Sequence, residues 1–158
     1  DNFQVIFMKK IILILLILTF TNYYEVNNFK EINWEENKII IKSINLKQNF
    51  MSYVNSDVNE GIIFLKESDF ANDFYILAAH SGTSKIAYFK NLYKLNKNDE
   101  IILIVNNKLK KFYVNEIKYV NKTGRIILPV DNKNTLYLTT GDKFDKTKQI
   151  VIKCVNKV

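Results

Sequence analysis

A single histidine, His80, closes an apolar run in Leu77-Ala78-Ala79-His80-Ser81-Gly82. Imidazole is the side chain best suited to exchange protons near neutral pH. At the end of a buried strand it would stand at the mouth of a β-barrel, where ligand sites gather. A lone histidine also has a plainer reading, as a surface or internally satisfied residue. The one thiol, Cys154, lies in Ile150-Val151-Ile152-Lys153-Cys154-Val155. Alternation sets it on the face of Ile150 and Ile152, where apolar surroundings raise a thiol's pKa and leave it inert. One cysteine permits no internal disulfide, and one histidine leaves no His cluster for a catalytic metal. No metal and no cofactor are expected.

The elements that must position these groups read mainly as strands. Lys38–Leu46 carries the β-branched run Ile39-Ile40-Ile41, and Phe74–Ala79 is a compact apolar run suited to a buried strand. Glu100–Asn106 and Lys110–Val120 read as two strands joined by a turn at Asn106-Asn107-Lys108, followed by Asn134–Thr140 and Gln149–Val155. Helical spacing of Ile86, Phe89, Leu92 and Tyr93 predicts a helix over 86–95 with Ser84 as its N-cap, and Phe50–Val54 a turn of helix. Many short strands with one or two short helices predict an antiparallel or mixed β-barrel of about seven or eight strands.

Lys9-Lys10 precede the unbroken apolar run from Ile11 to Phe20, and Tyr23-Tyr24 suit a membrane interface. A basic flank before an all-apolar stretch is the pattern of a signal anchor. Residues 1–24 are therefore expected to be a single-pass membrane helix, 25–36 a polar stalk, and 37–158 the folded domain. The positive-inside tendency keeps Lys9 and Lys10 cytoplasmic and places that domain outside the cell. The chain of 158 residues carries a formal charge of +7, yet Arg125 is its single arginine. Lysine lacks the bidentate geometry that reads bases and phosphates, so a nucleic-acid partner is not expected.

Asn134-Thr135-Leu136-Tyr137-Leu138-Thr139-Thr140-Gly141, followed eight residues on by Gln149-Ile150-Val151-Ile152, resembles the signature of the sortases. These are the cysteine transpeptidases of bacterial cell surfaces, whose strand reads Thr-Leu-x-x-Thr-Cys before a loop and an arginine-led strand. Further segments are similar in order and spacing: Ile39–Leu46 to the first strand, Val58–Ile62 and Lys66-Glu67-Ser68 to the stretch before the histidine. Leu77–Gly82 matches the histidine segment, Ile86–Leu92 the helix after it, Asn98–Ile101 the turn into the next strand, and Leu128-Pro129 the stretch before the Thr-Leu strand.

The resemblance implies a closed sortase-like barrel and a specific chemistry. A thiolate attacks the Thr–Gly carbonyl of an LPxTG-like sorting signal, and an amine of a wall precursor or another surface protein resolves the thioester. On this resemblance His80 is the acid/base, Gly141 stands at the nucleophilic cysteine, and Gln149 stands at the oxyanion-stabilising arginine. Ser81, Thr139 and Thr140 are the substrate-binding positions. Glycine has no nucleophile, so the chain is expected to be inactive as it stands. A second reading is a non-catalytic, membrane-anchored binder of sorting-signal peptides or of a partner protein.

Overall fold

A computed structural model of the chain describes residues 37–50, 57–123 and 133–157. The expected anchor and stalk, the Val54 end of the predicted turn at Phe50, Arg125 and Leu128-Pro129 lie outside the described residues. Eight strands form one sheet: β1 (Lys38–Ile41), β2 (Leu46–Asn49), β3 (Ile63–Phe64), β4 (Phe74–Ala78), β5 (Glu100–Val105), β6 (Lys108–Asn121), β7 (Thr135–Gly141) and β8 (Lys148–Val155). Their order is β2-β1-β5-β6-β8-β7-β4-β3. Every pairing is antiparallel except β4 with β7, so the sheet is mixed.

The sheet wraps around one core. Ile39 and Ile41 of β1, Tyr75 and Leu77 of β4, Ile101 and Leu103 of β5, Leu136 and Leu138 of β7, and Ile150 and Ile152 of β8 all enter the same buried cluster. Phe50, which follows β2, meets Phe64 of β3 edge-to-face with ring centroids 5.1 Å apart. The first and last strands of the sheet order are thus brought together by aromatic packing. The mainly-β barrel expected from sequence is present as this curled eight-stranded sheet.

Two expectations on individual elements change, and one strand is new. Lys38–Leu46 is not one strand: Asn45 takes a left-handed conformation (φ 53°) after a 3-10 turn at Lys42–Ile44, and the chain folds back so that β1 pairs with β2. A short β3, two residues long, pairs with β4. Residues 86–95 form no α-helix. Their amides bond three residues back, as in Lys90 N–H to Ala87 O (3.2 Å) and Leu92 N–H to Phe89 O (3.1 Å), and only Leu92–Lys94 is a 3-10 helix. The Ser84 carbonyl accepts from Ala87 N–H (3.1 Å). The Phe89 amide is drawn away to His80 O at 3.1 Å, which ties the turn to the end of β4 and breaks a helical ladder. The turn at Asn106-Asn107 is as expected. Both residues have positive φ (48° and 61°), the requirement of a tight hairpin between β5 and β6.

Candidate active site

The site is built where β4, β7 and β8 end side by side. Ala78 pairs with Thr139 in the parallel ladder, and Ala79 N–H donates to Thr139 O at 3.4 Å. The Thr140 hydroxyl donates to Ala79 O at 2.7 Å, which holds the segment after β4 against β7. The same register carried two residues on sets His80 beside Gly141. On the other flank Gly141 pairs directly with Gln149 of β8. Gly141 and Gln149 are thus partners on neighbouring strands, His80 stands two residues past the Ala78–Thr139 pair just beyond the end of β4, and all three line one cleft. All three alternate with core residues, so they face outward from the barrel interior, toward the side where Ile76 and Tyr137 cluster with Val151 and Leu65.

This cleft has a volume of about 760 Å³. Val58, Leu65, Ile76 and Ala78 give it an apolar stretch, with Lys66 and Glu67 also in its lining, while His80, Ser81, Lys122 and Gln149 add polar groups around Gly141. A second hollow of about 730 Å³ shares Ser81, Gly82, Lys122 and Gly141 with the first, so the groove continues past position 141.

His80 Nε2 lies 3.0 Å from Asn59 Oδ1. Asn59 sits in a 3-10 turn (Val58–Glu60) whose preceding residue, Asp57, accepts a hydrogen bond from Asn59 N–H at 2.8 Å. The imidazole is thus oriented by a residue that no local pattern points to. Only the packing of that turn against the end of β4, 21 residues away in sequence, makes it part of the site.

Gly141 is ordinary strand backbone, and nothing in its conformation requires glycine. A Cβ built there would meet one neighbour within 4 Å, Ser81 Oγ at 3.5 Å, an ordinary van der Waals contact. The position accepts a side chain, and that side chain would enter the groove between His80 and Gln149. Gln149 Nε2 is buried and, among the described residues, has no hydrogen-bond partner. An unmet buried donor costs about 1–3 kcal/mol, so a ligand oxygen arriving there would be favoured.

Thr139 and Thr140 line the cleft, but their hydroxyls are taken up internally: Thr139 Oγ1 donates to Ile150 O at 3.0 Å and Thr140 Oγ1 to Ala79 O. They brace the three strands at the level of the cleft. Cys154 is fully buried and pairs with Leu136, five residues down the β7–β8 ladder from the Gly141–Gln149 pair. That is about 17 Å along a strand. Burial pushes its thiol far above the usual range. Among the described residues no three His, Cys, Asp or Glu side chains converge as metal ligands. No described helix is long and apolar enough to cross a membrane.

The sortase domain profile matches residues 23–157, most of the chain. The chain belongs to the sortase family. Sortase C-1 of Actinomyces oris is similar in structure with a TM-score of 0.68 at 21% identity, over 81% of this chain and 77% of its own. Streptococcus pneumoniae sortase C matches at 0.68 and 17% identity, over 83% and 73% of the two chains. Clostridium perfringens sortase C, solved with the C-terminal cell wall sorting motif, matches at 0.63 and 22% identity, over 80% and 74%. No curated protein sequence matches significantly. The sortase fold is thus shared here at low sequence identity.

Proposed function

We propose that the groove is the peptide site of a sortase-type transpeptidase acting on an LPxTG-like sorting signal, and that this chain, with glycine at 141, holds such a peptide without turning it over. The convergence of His80, just past β4, with the Gly141–Gln149 pair of β7 and β8 on one cleft carries this reading, together with the room for a side chain at 141. The apolar stretch formed by Leu65, Ile76 and Ala78 suits the Leu-Pro end of the peptide. The Thr carbonyl then lies over position 141.

With a thiol at 141, the thiolate adds to that carbonyl carbon and the C–N bond to Gly breaks. The departing amine takes a proton from the His80 imidazole, which Asn59 holds in place. The unpartnered Gln149 amide donates to the oxygen on which negative charge develops. An incoming amine gives its proton to His80, attacks the thioester and releases the thiol. In the present chain the first step has no nucleophile. Losing a catalytic nucleophile costs a hydrolase about 10⁶ in kcat, so binding is what remains.

The apolar segment ahead of the domain fits this work. An anchor over residues 1–24 and a stalk over 25–36 would hold the groove outside the cell, where surface proteins and wall amines meet. A second reading, an adaptor that never catalysed, rests on Gly141 itself.

Gly141→Cys decides between them, assayed by cleavage of LPxTG-like peptides with an amine acceptor. Turnover that is lost on adding His80→Ala is the expected result. Binding with no reaction would favour the adaptor, and neither binding nor reaction would reject both readings.

A further inference from the structure

Beyond position 141 the groove changes character. Its second arm is lined by Lys90, Lys122, Lys143 and Lys146, with Asp142 as its one carboxylate. Asp142 already accepts a hydrogen bond from Phe144 N–H at 3.1 Å, which shapes the β7–β8 loop. Lys143 sits 5.1 Å from the centroid of Tyr93 and 5.7 Å from that of Phe144, contacts that hold an ammonium in place without neutralising it.

A basic chain has lysines on every side, so the comparison that matters is with lysines elsewhere. Lys66, Lys110, Lys111, Lys118 and Lys148 each lie within ion-pair distance of a carboxylate. None of the four lysines of the arm has such a partner among the described residues, a state they share with most other described lysines; what sets them apart is that they gather in one hollow with a single carboxylate. Like charges gathered in a concavity repel one another and raise the local potential. An arriving anion relieves both effects.

We infer that this arm is an acidic-residue subsite: a peptide whose carbonyl lies over position 141 places a carboxylate, carried one to three residues beyond it, among Lys90, Lys122, Lys143 and Lys146. The inference rests on the proposed peptide site and adds its direction. The apolar arm takes the Leu-Pro end, so the lysine arm takes the residues that follow the Thr-Gly bond. Lys122 lines both arms and so stands at the junction.

Two labelled peptides test this by fluorescence anisotropy with the full chain in neutral detergent, where glycine at 141 keeps binding free of turnover. One carries Leu-Pro-Ala-Thr-Gly followed by Glu-Glu, the other the same motif followed by Gln-Gln. At low salt the acidic peptide is expected to bind about fivefold tighter or better, and the ratio to shrink in 0.5 M salt on the order of the Debye screening there. In a Lys143→Gln/Lys146→Gln double variant, checked for folding by thermal unfolding, the ratio falls toward one. Equal affinity for both peptides overturns the subsite, as does a ratio that survives the double variant. Binding of neither peptide overturns the subsite and the sorting-signal reading together. A third peptide with Leu-Pro-Ala-Thr scrambled but Glu-Glu kept separates them: if it binds as tightly, the arm stands and the sorting-signal reading falls.

Discussion

The β7–β8 hairpin has two ends with opposite environments. At one, Leu136 and Cys154 face each other across the ladder, sealed in the core. At the other, Gly141 faces Gln149 at the edge of a groove, beside an imidazole and an unmet amide donor. The thiol of this chain is at the sealed end, and the groove end, which has room for a side chain at 141, holds none. Reactivity belongs to the place a side chain occupies, which the strand register assigns before its chemistry counts.

The largest expected effect contrasts the two ends directly. Alkylation of the native chain by iodoacetamide should be very slow, since Cys154 is buried and its thiol is held in the neutral form. Gly141→Cys should label at least about 100-fold faster, because a groove-exposed thiol ionises near its ordinary pKa. Adding Cys154→Ala should leave that fast phase intact. Comparable rates for the native chain and the variant would erase the contrast between the ends.

Next in size, Gln149→Arg in the Gly141→Cys protein should raise kcat about tenfold, since a charge-assisted donor is roughly twice as strong as a neutral one. No gain, measured in the same peptide assay, would place the developing oxyanion elsewhere. In that protein Asn59→Ala should lower kcat/KM about threefold to tenfold, chiefly through kcat, while Asn59→Asp should restore part of the loss. An unchanged kcat in Asn59→Ala would make the Asn59 contact incidental.

The smallest effect belongs to the sealed end. Asp73, just ahead of β4, accepts from Lys110 Nζ at 2.6 Å and from the Tyr75 hydroxyl at 2.9 Å. The Lys110 hydrogen bond chiefly holds its carboxyl below the ordinary 3.8. A depressed carboxyl stabilises the fold at pH values above its unfolded pKa, and that stability is lost as pH falls through the lower folded value. Asp73→Asn should therefore cost about 0.5–1 kcal/mol at pH 7, given its partial exposure, and flatten the loss of stability between about pH 4 and 2. Urea unfolding across that range checks it, and peptide binding should be unaffected.

Much of the site could be read from sequence because its parts are local. His80 follows directly on the apolar run of β4, and the Thr135–Gly141 stretch is a strand with a plain signal. The long strands β5 to β8 were legible for the same reason, and the Asn106-Asn107 turn announces itself by residue type. What escaped depends on features that periodicity does not encode. Asn45 turns one apparent strand into two by adopting a left-handed backbone. Residues 86–95 have helical spacing, but a series of i to i+3 turns places side chains in nearly the same way. β3 is too short to show any period. Asn59 and the gathering of four lysines exist only once distant loops have packed.

The strand order has a consequence for how the protein comes together. β8, last of the eight in the chain, lies between β6 and β7. Until it slots in, the sheet is two separate ribbons, β2-β1-β5-β6 and β7-β4-β3, with His80 and Gly141 on one and Gln149 on neither. A chain still emerging from a ribosome or a translocation pore therefore has no working groove. The final strand acts as a keystone, and the groove is complete only once that strand is in place.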